Sequence, residues 1–135
     1  MLTSTPVSEA SIIHALRQAR TPEALATSKL LKRGIIRLKL VPTDPLKKGA
    51  AGRYFFGSRE IQLALDQLHS PGEAAGFVAH ETRHYLQRIT SQTYKLIHEF
   101  EAYQWQRSAD ETFQLSDQQI WQHIRSHPLY KSVPE

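Results

Sequence analysis

Two histidines four residues apart, with a glutamate directly after the first, occur in the segment HETRH at residues 80–84. On an α-helix, residues four apart lie on the same face, so His80 and His84 can both direct a ring nitrogen at one ion. Glu81 sits beside that face, where a carboxylate can take a proton from a zinc-bound water and pass it to a leaving amine. The spacing therefore predicts a zinc site with Glu81 as its catalytic base.

The helix that carries this motif is predicted independently of the histidines. Ser70 can cap its first turn, Pro71 suits the first helical position, and Glu73 is placed to complete a capping box. The residues that follow, 73–79, are mostly small and apolar, which favours close packing on a sheet. The helix is expected to run to about Arg88.

A catalytic zinc site needs a third protein ligand. The chain has no cysteine, so that ligand must be a histidine or a carboxylate. The next predicted helix, residues 94–111, offers His98, Glu99 and Glu101. Lys95 stands one turn before Glu99, a pattern typical of an ion pair in solvent.

Glu101 differs from the other candidates in its helical neighbours. Ile97 stands one turn before it and Phe100 directly before it, so its carboxylate is expected within the apolar face. A buried carboxylate is costly unless it is paired or bound to a metal. Glu101 is therefore predicted to be the third zinc ligand, and His98 is the second choice.

Further helices and a β-sheet are needed to position these two helices. Hydrophobic periodicity and turn residues predict two N-terminal helices, a sheet of about three strands, and three further helices. The expected ranges are helices 8–20 and 21–34, strand 35–41, a hairpin of 53–56 and 60–65, and helices 70–88, 94–111 and 116–127. This order predicts an α+β fold, and the length of 135 residues fits a single domain, 1–135.

Composition narrows the expected setting and partners. No apolar run approaches the roughly 20 residues that cross a bilayer, and the N-terminus lacks the pattern of a secretory signal. The chain is therefore expected in the cytoplasm, or outside the cell by a route that reads no such signal, and no membrane partner is expected. The net charge is +4, but positive residues cluster only at 29–33 and Lys47-Lys48. Nucleic acid is therefore not expected as a partner.

The segments VAHETRHYLQ and HEFEAYQWQ together resemble the gluzincin class of zinc metallopeptidases. In that class a glutamate on a downstream helix completes the two-histidine site, often before small and aromatic residues, as in Glu101-Ala102-Tyr103. The preceding GRYFFGSREIQLAL also resembles the hairpin and edge strand of small members. The likeness covers roughly residues 35–110. It implies a zincin-like fold, in which a small antiparallel or mixed sheet packs on the active-site helix, with Zn²⁺ as cofactor.

The resemblance also implies an activity, hydrolysis of peptide bonds by a zinc-bound water that Glu81 activates. A donor for the oxyanion is needed besides the metal. Tyr103 is expected to be a catalytic residue, and four further candidates for the donor stay open: Tyr94, Tyr54, His123 and His127. An extended substrate is expected to add as a strand to residues 60–65, taken as the edge strand.

The compact size resembles bacterial toxin or effector metallopeptidase domains. That likeness implies a protein or peptide substrate and a neutralising immunity protein as partners. Two other functions remain open from the sequence. One is a non-catalytic module of the same fold with a structural zinc, and the other is a basic helical nucleic-acid-binding protein, which would hold no metal.

Overall fold

The computed structural model describes residues 6–45, 49–55, 57–90 (for Thr90 the backbone only) and 93–135. These residues form five α-helices, three β-strands and two short 3-10 helices. In chain order they are α1 (Glu9–Ala19), α2 (Pro22–Lys32), β1 (Arg37–Val41), β2 (Gly52–Phe55), β3 (Glu60–Ala64), a 3-10 turn (Leu65–Gln67), α3 (Pro71–Thr90), α4 (Leu96–Ala109), α5 (Asp117–Ser126) and a second 3-10 turn (Pro128–Tyr130). The predicted α+β class is confirmed. The positive cluster Lys47-Lys48 lies outside the described residues, and so does Phe56 of the predicted hairpin.

The motif helix α3 begins where its capping residues predict. The Ser70 hydroxyl accepts a hydrogen bond from the Glu73 amide at 3.1 Å, which satisfies one of the free donors of the first turn. The Glu73 carboxylate does not return to Ser70. It accepts instead from the amide of His69 at 3.1 Å, one residue earlier. The cap is therefore present, although the reciprocal half of the predicted box is shifted by one residue.

The sheet is mixed, with strand order β1-β3-β2. β3 pairs in parallel with β1 and antiparallel with β2. The prediction that residues 60–65 form the edge strand is therefore wrong, because both sides of β3 are paired. The chain between β1 and β3 is long enough to return to the starting end of β1, which permits the parallel pair. The edge strand next to the motif helix is β2.

The central element is α3, which packs against α1, α2, α4 and the sheet. Its first half contributes small apolar residues, as the sequence predicts, and these allow close packing on both sides. Large side chains from α1 and β3 complete the main core, in which the fully buried members include Ile12, Leu16, Ile61, Leu63, Ala74, Ala75, Val78 and Ala79. This core fixes the position of the helix that carries His80 and His84.

A second, smaller core joins α4 to α5. Leu96 and Phe100 of α4 are buried against Ile120 and Ile124 of α5. Trp121 stacks on Phe100 with ring centroids 4.5 Å apart. This core attaches α4 to α5. Within the described part of the chain, no helix combines the length and the apolar character that crossing a bilayer requires.

Close approach between α3 and α4 depends on Gly76. A Cβ atom added there would lie 2.8 Å from Cβ of Asp110 and 3.2 Å from Cγ of Gln106. The first distance is shorter than a Cβ contact tolerates and the second is tight, so a side chain at position 76 would require Asp110 or the helix itself to shift. Gly76 precedes His80 by one turn. The short distance between α3 and α4 that it permits therefore also holds at His80.

We expect Gly76→Ala to lower the free energy of unfolding by about 1–3 kcal/mol, because the added methyl overpacks the α3–α4 contact. Urea unfolding followed by circular dichroism, in the presence of a chelator, measures this. Gly72→Ala is the matched control, since its Cβ would meet only Ser70 Oγ at 3.8 Å. That variant should be as stable as the parent or more so, because alanine favours the helix. Equal stability of the two variants would contradict the close-packing explanation.

Candidate metal centre

Three side chains from α3 and α4 converge in the structure. His80 Nε2 lies 3.0 Å from Glu99 Oε1, and His84 Nε2 lies 3.2 Å from Glu99 Oε2. One ligand atom from each residue lies within 4.8 Å of the others. His80, His84 and Glu99 are therefore close enough together to hold a metal ion.

Glu101 is not part of this group. Its carboxylate pairs with Arg83 Nη2 at 3.1 Å, and its side chain is 34% exposed. Glu99 is only 5% exposed. The prediction that Glu101 lies beside the two histidines is therefore wrong, and Glu99 occupies that position. The second choice, His98, is also elsewhere, because its Nδ1 accepts from the Lys95 amide at 3.0 Å.

The position of the α4 N-terminus explains why Glu99, and not Glu101, lies beside the two histidines. The helix begins at Leu96, so Lys95 is the cap residue with an extended backbone, and the side-chain spacing of a helix interior does not apply between Lys95 and Glu99. Ile97, which suggested an apolar surrounding for Glu101, is 38% exposed. The buried stripe of α4 toward α3 instead holds residues at spacings of three and four: Glu99, Ala102, Gln106 and Ala109. That stripe is a sequence signal that points to Glu99.

The second ring nitrogen of each histidine is hydrogen-bonded to the side-chain amide of a glutamine. His80 Nδ1 lies 3.0 Å from Gln106 Oε1, and His84 Nδ1 lies 2.9 Å from Gln87 Oε1. An amide oxygen can only accept, so each Nδ1 carries the proton of its hydrogen bond. Both Nε2 atoms consequently face Glu99. Histidines that ligate metals are usually held in this way by a partner on the other ring nitrogen.

The donor set requires a positive charge beside Glu99. An imidazole with its single proton on Nδ1 presents a lone pair at Nε2, which repels a carboxylate oxygen about 3 Å away. A second ring proton or a bound cation removes this repulsion. Two nitrogens and one carboxylate are a ligand set of catalytic zinc sites, and ligand atoms of a tetrahedral zinc stand about 3.3 Å apart. The contacts of 3.0 and 3.2 Å are made to different oxygens of Glu99, and one ligand atom from each residue lies within 4.8 Å of the others, which is close enough for the group to hold an ion.

The titration behaviour of the group follows from the same contacts. Burial alone would raise the pKa of Glu99, but the hydrogen bonds and charges of His80 and His84 outweigh it and hold this pKa far below its usual range. Burial alone would lower the pKa of His84, and the hydrogen bond and negative charge of Glu99 raise it instead. The site is therefore arranged to keep Glu99 ionised next to a cation.

A cleft of about 370 Å³ opens over the three residues. Its lining includes Glu81, the predicted base, together with Tyr103, the predicted donor. One wall comes from the start of the edge strand, Ala51 and Gly52. Another comes from Tyr130 in the second 3-10 turn, which no pattern in the sequence indicated. The structure thus brings Glu81 and Tyr103 to the cleft that holds the histidines.

Tyr103 packs edge-on against His80 with ring centroids 4.7 Å apart. Its hydroxyl lies 3.3 Å from Nε2 of His123. Burial is the main cause that raises the pKa of Tyr103 to about 12, so the hydroxyl stays protonated at neutral pH. Tyr94 donates to Glu99 Oε2. The remaining donor candidates, Tyr54, His123 and His127, are not among the described residues that line the cleft.

Comparisons of the chain with protein-family models, with curated proteins and with solved structures find no match. What supports a function is therefore the arrangement of the chain's own residues. The buried His80-His84-Glu99 group and the adjacent Glu81 carboxylate are the features that carry chemical capacity.

We expect Glu99→Gln to weaken zinc binding by more than the 10- to 100-fold that loss of an outer partner costs, because an amide replaces the anionic ligand. Glu101→Gln is the matched control and should stay within that range or below it. Competition with a chromophoric chelator gives both affinities. If Glu101→Gln lost zinc while Glu99→Gln retained it, the assignment of Glu99 would be wrong.

Proposed function

We propose that this protein is a zinc-dependent peptidase. The observation that carries the proposal is the cleft in which the His80-His84-Glu99 group lies beside the free-standing carboxylate of Glu81. When bound, a zinc ion lowers the pKa of a coordinated water toward about 7 and polarises the scissile carbonyl. His80, His84 and Glu99 would hold the ion, and the cleft opens over these three residues.

Glu81 is the residue that moves protons in this proposal. It follows His80 on α3, so its side chain lies next to the ligand face without belonging to it. Among the described residues, no ion pair or hydrogen bond engages its carboxylate. A carboxylate that is not engaged elsewhere can accept a proton from the attacking water and then deliver it to the leaving amine. A site that served only to hold a metal would have no use for this group.

Tyr103 supplies the donor for the negative charge that develops on the carbonyl oxygen. Its hydroxyl is protonated at neutral pH because its pKa is raised to about 12. Its ring contacts His80, which places it beside the ligand group. Such a preorganised donor acts in the transition state, when the oxygen becomes an anion.

The substrate class that suits the cleft is an extended peptide. The edge strand β2 begins at the cleft wall, where Ala51 and Gly52 offer backbone with little side-chain bulk. Among the described strands β2 pairs only with β3, and we propose that an extended peptide adds to its other side. Backbone hydrogen bonds to an added strand hold a peptide without selecting its side chains.

Replacement of the base tests the proposal directly. Glu81→Gln should keep the parent's zinc content and lower the hydrolysis rate about 10²- to 10⁴-fold, because the amide cannot accept the proton. Zinc content is measured by metal analysis and hydrolysis by a quenched-fluorescence peptide library. Glu111→Gln, at an exposed position, is the control and should match the parent. A zinc-loaded parent that cleaves no peptide would identify a metal-binding module instead of an enzyme.

The donor role of Tyr103 has its own test. Tyr103→Phe should lower kcat about 10²- to 10³-fold, the usual effect of removing one oxyanion donor. Zinc affinity should change little, because no ligand is altered. Tyr85→Phe is the control, since Tyr85 packs edge-on against Tyr54 and does not line the cleft. An unchanged kcat in Tyr103→Phe would assign the donor to another residue.

A further inference from the structure

Gln87 is a buried amide one turn after His84 on α3, and it connects three groups around it. Its Oε1 lies 2.9 Å from His84 Nδ1. Its Nε2 donates to the backbone carbonyl of His98 at 2.7 Å and lies 3.4 Å from Glu101 Oε1. Gln87 thereby connects one candidate ligand on α3 to the first turns of α4.

The chemistry of these partners fixes the orientation of the amide. A backbone carbonyl and an ionised carboxylate can only accept hydrogen bonds. If the amide were turned over, its oxygen would face both acceptors, His98 O and Glu101 Oε1, and a buried donor would be lost. The Gln87 oxygen must therefore face His84, and His84 must carry a proton on Nδ1.

Arg83 holds the far end of this chain of contacts. Its guanidinium donates to Glu101 Oε2 at 3.1 Å and lies over the Trp105 ring, 5.5 Å from the centroid. The Glu101 carboxylate is thereby kept beside Gln87 Nε2. Glu101, which the sequence suggests as a ligand, touches the site only through an intermediate amide.

We propose that Gln87 is a positioning residue that sets the tautomer of His84, so that Nε2 and not Nδ1 is the nitrogen offered to the metal. Glu101 and Arg83 support it by fixing the amide. This inference rests on the proposed metal centre for its purpose. The proton position itself does not depend on catalysis. Gln106 holds the corresponding place on His80, with Oε1 3.0 Å from Nδ1.

Nitrogen-15 NMR of the histidine rings tests the proposal. A long-range proton–nitrogen correlation spectrum shows which ring nitrogen of His84 carries a proton. In the zinc-loaded parent we expect the proton on Nδ1 and zinc on Nε2. In the chelator-treated parent we expect Nδ1 to carry a proton in every form of the ring that is populated, because Gln87 Oε1 accepts from it. Zinc on Nδ1 in the loaded protein, or an Nδ1 without a proton in either state, would overturn the proposal.

Gln87→Met separates positioning from packing, because it conserves volume and removes both the donor and the acceptor. We expect the Nε2–H form of His84 to appear in the metal-free variant, and zinc affinity to fall about 10- to 100-fold. Gln87→Glu in combination with Glu101→Gln keeps the acceptor for Nδ1 without setting two carboxylates against each other, and should therefore restore the Nδ1–H form. Gln122→Met, at an exposed position of α5, is the control and should leave both readouts unchanged.

The two proposals fail in different ways. If the parent binds zinc through Nε2 of His84 but cleaves no peptide, the peptidase proposal fails and the role of Gln87 stands. If Gln87→Met leaves the tautomer and the zinc affinity as in the parent, Gln87 only fills space and its proposed role is wrong. If no zinc binds, the metal-free spectrum alone decides whether Gln87 sets the tautomer.

Discussion

The carboxylate of Glu99 lies almost fully buried between α3 and α4, and its negative charge has to be balanced there. The two Nε2 atoms of His80 and His84 provide that balance when they carry protons or share a cation with it. An isolated ionised group at this depth would destabilise the fold by several kcal/mol. The requirement for a positive partner links the stability of the helix pair to the chemistry of the cleft, because the same three side chains serve both.

Close helix packing makes this arrangement geometrically accessible. Gly76 and the alanines of the α4 stripe let the two backbones approach closely. His80 on α3 can therefore contact Glu99 and Gln106 on α4. Gln106 contacts position 76 with its stem and His80 with its amide oxygen. One residue therefore takes part in the tightest helix contact and in the orientation of a candidate ligand. The smaller core attaches α4 to α5 through a different set of side chains, Leu96 and Phe100.

Much of this structure can be predicted from patterns among neighbouring residues. Features that depend on contacts between residues distant in sequence cannot be predicted in this way. The cap at Ser70 and the four-residue spacing of the histidines correctly place His80 and His84 on one helix face. The choice between Glu99 and Glu101 failed because it depended on the first residue of α4, which periodicity alone locates poorly. The central position of β3 results from pairing between strands distant in sequence. The role of Gln87 could not be anticipated, since a glutamine has no characteristic spacing and its partners are known only after folding.

The hydroxyl of Thr21 caps α2 and also donates to the carbonyl of Ser108 near the end of α4, at 3.1 Å. Together with Ile12 and Leu16, which are fully buried in the core beside α3, this bond ties the N-terminal helices to the pair α3–α4 that carries the candidate metal ligands. The pair α3–α4 is consequently not a module that could be transplanted alone into another scaffold. A graft of the three candidate ligands would also have to reproduce these contacts with the N-terminal helices. Without them α3 and α4 would lose the alignment on which the positions of the three side chains depend.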